Sequence, residues 1–145
     1  MGNMLNGSTE KSDGIILEFD HGSMMVHPGE FDVYHAIRPH RSLLSLLKDI
    51  ESLRIRSESK AGDAEASATL SVIYSIGLGF NGSTAIQPDM RKSQYYAQDK
   101  VFMTSLQQSD RVIKMLDFAE MARKQREKDA NTRDEVSELK KKLNT

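Results

Sequence analysis

A chain of 145 residues makes one compact domain with room for an appended helix, and excludes two large catalytic domains. Hydrophobic residues make up 38% and aromatics 6%, with no Trp, so a modest core is available but not one built on large rings. The 20 basic and 21 acidic side chains leave a formal charge of -1, which disfavours a surface committed to nucleic-acid phosphates, and the absence of Cys excludes disulfides, thiolate metal sites and cysteine nucleophiles.

Residues 1–13 read as a flexible lead-in: Met1 to Lys11 is polar, without the basic start and apolar stretch of a secretory signal. No apolar run approaches the ~20 residues that span a bilayer, which predicts a soluble, cytoplasmic chain. A helical body with an N-terminal hairpin is then expected over 14–120, and a charged C-terminal helix over 121–145.

Within the body, Ile15 to Val26 is rich in β-branched and long apolar residues around Asp20, His21, Gly22 and Ser23, a composition that allows a short β-hairpin. Pro28-Gly29 breaks the chain, and Phe31, Tyr34 and Ile37 read as a short helical series that Pro39 ends. From Ser42, a good cap, Leu43, Leu46, Leu47, Ile50 and Leu53 recur at three and four residue spacing, which predicts one inward helix face. Asp63 caps a second helix carrying Ala66, Leu70, Ile73 and Tyr74 inward, and Gly77 and Gly79 stop it, with positive φ the expected reason. Phe80 to Gln87 reads as a loop around Asn81-Gly82-Ser83, and Pro88-Asp89 opens a third helix through Tyr95 and Tyr96 towards Phe102.

The last helix is expected from about Ser109 to Leu143, with Val112, Met115, Leu116, Phe118 and Ala119 packing on the body. From Met121 to Thr145 eight basic and five acidic side chains give a local charge of +3, beside -4 for the rest of the chain. Val136, Leu139 and Leu143 sit at coiled-coil spacing, but the same register reaches Thr132, Asp129 and Gln125 further back, so polar residues interrupt the seam. Truncation after Ala122 is expected to spare the body, and pairs such as Glu127 with Arg123 and Glu138 with Lys142 to support the helix.

The run Gly62-Asp63-Ala64-Glu65-Ala66, followed by Leu70, Tyr74, Gly77, Gly79, Asp89, Lys92 and Tyr96, resembles one SEL-one-like repeat, a relative of the tetratricopeptide repeat, at about 62–100. The resemblance covers about a quarter of the chain and implies a mainly α fold of helical hairpins, with small Ala64 and Ala66 allowing two helices to approach closely. Three features depart from the family's pattern: Ser71 stands where Gly is usual, Ser93 where Ala is usual, and the Gly79 to Asp89 connection is longer than its typical turn. Proteins with such repeats act as adaptors or scaffolds, often in bacteria, so the resemblance implies a protein-interaction role.

Candidate chemistry is sparse. His21, His27, His35 and His40 lie close in sequence to Asp20, Glu30 and Asp32, but His35 and His40 flank Pro39 and cannot share a helix face as a ligand pair, so no metal site is expected. No Ser lies in a Gly-x-Ser-x-Gly elbow, and Gly77-Leu78-Gly79 follows a helical pattern and lacks the Gly-Lys-Ser/Thr of a phosphate loop. The eight methionines, Met24, Met25, Met90, Met103, Met115 and Met121 among them, read as core gap-fillers ahead of a partner groove. Of the adjacent Tyr95 and Tyr96, one can face the core and the other a partner. The expectation is a non-enzymatic interaction module without cofactor, metal, small-molecule substrate, nucleic acid or membrane. Its partner is expected to be another protein or a second copy of this chain, met through Tyr95, Tyr96, Val136, Leu139, Lys140, Lys141, Lys142 and Leu143. The alternative is a structural or assembly subunit, or a chaperone, of a secretion apparatus or phage particle, oligomerising through its C-terminal helix.

Overall fold

The computed structural model describes residues 14–27, 34–60, 62–98 and 109–145; the expectations for residues 1–13, Phe31 and Phe102 fall outside them. The described part is mainly helical, with short antiparallel strands. Strands β1 (Ile15–Glu18), β2 (Ser23–Val26) and β3 (Tyr34–Arg38) lead into helix α1 (Leu43–Ser57) and helix α2 (Ala64–Ile76). Strands β4 (Leu78–Phe80) and β5 (Ser83–Ile86), helix α3 (Met90–Gln98) and helix α4 (Asp110–Leu143) follow. Among the described residues no helix is long and apolar enough to cross a membrane.

The hairpin allowed by Ile15 to Val26 forms, with Ile15 opposite Val26 and Leu17 opposite Met24. Ile15, Leu17, Met24 and Val26 are all buried and thus form its inner face. Two local expectations are overturned. Tyr34 to Arg38 extends as β3 beside β2 instead of forming a helical turn, because a neighbouring strand supplies backbone partners that an isolated turn lacks. A register shift near Ser23 and Met24 leaves Ile37 outside the regular pairing.

The expected loop from Phe80 to Gln87 is instead largely the second hairpin, β4 with β5. Its strands are too short to show alternation. Asn81 (φ 50°) and Gly82 (φ 81°) provide the left-handed pair that closes a tight hairpin.

The helices start where side-chain acceptors are available. Ser42 Oγ accepts from Ser45 N at 3.1 Å, Asp63 Oδ1 from Ala66 N at 3.0 Å, Asp89 Oδ1 from Lys92 N at 3.1 Å and Ser109 Oγ from Val112 N at 3.3 Å. Helix α2 packs against α1, α3 and α4 and is buried at nearly every position. The residues expected to face inward on it, Ala66, Leu70 and Ile73, are buried, and Tyr74 is half-buried. Ala64, Ala66, Ala68, Leu70, Val72 and Ile73 share one core with Leu17, Leu46, Leu53, Met115 and Phe118, and each large side chain of that set contributes about 1.5–3 kcal/mol through burial.

On α1 the inward face differs from the expected leucine stripe. Leu46, Asp49, Ile50, Leu53 and Ser57 are buried, whereas Leu43 (43% exposed), Leu44 (62%) and Leu47 (37%) face out. The helix is turned so that Asp49 points inward, where two histidines meet it.

Gly77 ends α2 with φ 81°, and a Cβ there would meet Ile86 O and Pro88 Cδ, each at 2.9 Å. Gly79 does not share this conformation: it lies in β4 opposite Thr84 and has no positive φ, so the expectation of a left-handed turn holds at one of the two glycines. Gly77→Val should therefore cost on the order of 1–3 kcal/mol, read as a lower thermal midpoint. An unchanged midpoint would show that the α2 to β4 turn does not depend on the left-handed conformation.

Candidate protein-interaction surface

Helix α4 has 34 residues and, at roughly 1.5 Å per residue, runs on the order of 50 Å. Its first part belongs to the body. Val112, Met115, Phe118, Ala119 and Ala122 are buried there. Three arginines then fasten it.

Arg111 Nε donates to Glu65 Oε2 at 2.6 Å, and its Nη2 donates to the Ile16 carbonyl at 2.5 Å, joining α4 to the start of α2 and to β1. Arg126 Nε and Nη2 donate to the carbonyls of Ser75 (2.7 Å) and Ile76 (3.0 Å), the last turn of α2, where orphan acceptors and the negative helix end favour a cation.

Arg123 reaches the two serines at which the chain departs from the repeat pattern. Its Nη1 donates to Ser93 Oγ at 2.8 Å and to Ser71 Oγ at 3.3 Å. These serines are fully buried and reciprocal: Ser71 Oγ donates to the Ser93 carbonyl, and Ser93 Oγ to the Ser71 carbonyl, each at 2.7 Å. A Gly or Ala at either place would lose the bond that its hydroxyl donates, and the pair at both places would lose both, so the two departures form one matched α2 to α3 contact. Burial lowers the Arg123 pKa, outweighing the nearby Glu120 carboxylate, which raises it. The expected Arg123 to Glu127 pair is replaced by these contacts. The packed part of α4 thus extends through Arg126 instead of ending at residue 120.

From Glu127 on, every residue is exposed except the half-buried Ala130. Val136 (45% exposed), Leu139 (57%) and Leu143 (83%) lie on this projecting stretch, with Lys140, Lys141 and Lys142 beside them. Tyr95 and Tyr96 separate as adjacent helical residues must. Tyr95 is 47% exposed, so it remains a surface candidate. Tyr96 is a core residue and drops out: its ring stacks on Tyr74 at 6.0 Å and its hydroxyl donates to Glu58 Oε2 at 3.2 Å. Burial and the neighbouring Glu58 carboxylate both raise the Tyr96 pKa.

Two of the four histidines, His21 and His40, meet in a way that sequence spacing hid. Asp49 is 2% exposed and accepts from His21 N (2.7 Å), His21 Nδ1 (2.8 Å) and His40 Nε2 (2.8 Å). Burial alone would push its carboxyl up, but these bonds outweigh burial and hold it below the usual carboxylate value. The ionised carboxylate is acceptor-only, so both ring nitrogens that face it carry protons. Gly22 makes room for this arrangement, since a Cβ there would lie 2.6 Å from the His40 ring. The carboxylate oxygens and the ring nitrogens on them are engaged with one another. Among the described residues no group of three or more His, Asp or Glu side chains is placed to hold a metal ion. The cluster ties the β1 to β2 turn and the β3 to α1 connection to α1; Asp49, on a predicted apolar helix, was the member no local motif signalled.

Comparison with protein-family models, curated proteins and solved structures finds no match to this chain.

The folded state holds the Asp49 carboxyl below the ordinary value near 3.8, so the stability it contributes is present above that pH and disappears as pH falls through the folded value. Asp49→Asn, which sets an amide against two N–H donors, should cost on the order of 2–4 kcal/mol near pH 7. Thermal midpoints of the two proteins should converge as acidification carries the pH below the lowered folded value, where the aspartic acid is itself neutral. A gap that stays constant down to low pH would exclude the ionised carboxylate as its source.

Proposed function

We propose that this chain is a protein-interaction module, in which a helical body of SEL-one-like hairpin type holds out the distal half of α4 as an adaptor surface. One observation carries the reading: α4 is fastened to the body as far as Arg126 and then continues, almost wholly exposed, with Val136, Leu139 and Leu143 on it. An isolated helix of that length frays in water, and its three apolar side chains gain burial only against a second surface. The partner in this reading is another protein, and the chain works by contact, without chemistry or a cofactor of its own. A second reading, an assembly subunit joined through copies of the same helix, is favoured by the heptad spacing of those three residues.

Truncation after Arg126 should leave the thermal midpoint within about 2 °C of the full chain, whereas truncation after Ala122 should lower it by several degrees, because it removes the Arg123 and Arg126 contacts. Affinity purification with the full chain should capture a partner, or a second copy, that Val136→Ser/Leu139→Ser/Leu143→Ser loses. Capture weakened by salt would assign part of it to Lys140, Lys141 and Lys142. Equal capture by the triple variant would overturn the assignment of the surface to distal α4.

A further inference from the structure

Helix α1 carries a second apolar face that its own chain leaves uncovered. While Leu46, Ile50 and Leu53 turn into the core, Leu43, Leu44, Leu47 and Ile55 are exposed, and steps of three and four residues through Glu51 join them into an outward stripe roughly 18 Å long. Contiguous exposed apolar side chains of this kind mark a contact surface. The N-terminal end of the stripe is positive. Arg41, just before the cap, and Lys48 are exposed and form no ion pair with any described residue, whereas Glu51, one turn on, is held by Arg54 at 2.5 Å. The distal half of α4 has the opposite order of charge. A shallow hollow beside the exposed Leu139 is lined by Asn131, Asp134, Glu135 and Glu138 and by no basic side chain, and Lys140, Lys141 and Lys142 follow. These three carboxylates and three amines likewise form no ion pair with a described residue.

We propose that distal α4 of one copy docks along the outer face of α1 of a second copy, Val136 and Leu139 resting on Leu44 and Leu47 while Glu135 and Glu138 meet Arg41 and Lys48. Two arguments select this occupant. The surfaces are complementary, apolar stripe to apolar stripe and unpaired carboxylates to unpaired cations, and with the helices running in the same direction the lysines after Leu139 lie towards Glu51. The second is geometric. An α4 fastened as far as Arg126 continues as one helix for on the order of 25 Å beyond the body, so it cannot turn back onto its own α1. Made twice about a two-fold axis, the contact closes a dimer in which each copy gives an α4 and receives one. This inference rests on the reading of distal α4 as the interaction surface and names its partner; pairing of α4 with α4 would leave the α1 stripe bare.

Sedimentation equilibrium of the full chain should show a dimer that weakens as salt rises. Arg41→Glu/Lys48→Glu and Glu135→Lys/Glu138→Lys, all at exposed positions, should each weaken it about tenfold or more, with circular dichroism showing unchanged helix content. Mixing these two variants should restore association to near the natural level, because in the mixed pair each reversed face meets a reversed face and each natural face a natural one. A monomer at every concentration, or no recovery on mixing, would overturn the proposal. Dimerisation abolished by Val136→Ser/Leu139→Ser/Leu143→Ser but indifferent to Arg41→Glu/Lys48→Glu would overturn it too, while leaving distal α4 as the interaction surface. An otherwise monomeric chain that binds phosphatidylserine vesicles and is released by Arg41→Glu/Lys48→Glu would overturn it in favour of an anionic bilayer on the α1 stripe.

Discussion

A helix buried on all sides has no water to satisfy its polar groups, and α2 imposes that constraint on everything around it. Its buried residues include Ser67, Thr69, Ser71 and Ser75 as well as the apolar set. Each hydroxyl has a partner: Ser67 meets Ser57 at 2.5 Å, Thr69 and Ser75 donate to carbonyls of α2 itself, at Glu65 and Val72, and Ser71 bonds with Ser93. Small side chains let α1, α3 and α4 approach at once, and the hydroxyls then choose which faces meet. Ser57 fixes the end of α1 on α2, and Ser93 fixes α3.

The same logic governs the charged groups. Asp49 sits on the buried face of α1 because two histidines and a backbone amide satisfy it there, and the cost of burying it alone would be several kcal/mol. Its three donors come from the β1 to β2 turn and from the β3 to α1 connection, so one carboxylate ties the first hairpin and that connection to the helix. Phe19 packs edge-on to His40 at 5.2 Å, which carries the arrangement into the apolar core.

Helix α4 shows how a body can hold out a surface without a second domain. Its anchors are arginines, whose long side chains reach a β1 carbonyl, the carbonyl end of α2 and a buried serine pair from a single helix. Because these contacts end at Arg126, helix continuity alone sets the direction of the remaining turns.

The sequence by itself determined the features that arise from contacts within a few residues. Ser42, Asp63 and Ser109 cap helices where their side chains can reach free amides, Gly77 ends α2 with a conformation other residues resist, and Ile15 to Val26 folds back as a hairpin. The long C-terminal helix was legible for the same reason. Tertiary structure decided what depends on partners distant in sequence. Strand β3 needed β2 beside it; the inward face of α1 was chosen by Asp49 and its histidines, 28 and 9 residues away, over Leu43 and Leu47. Arg123 left its helical neighbour for serines 52 and 30 residues distant. Spacing along a chain records which side chains can share a face, but the choice among faces is made by buried polar groups, whose desolvation must be compensated by whichever element arrives to bond them.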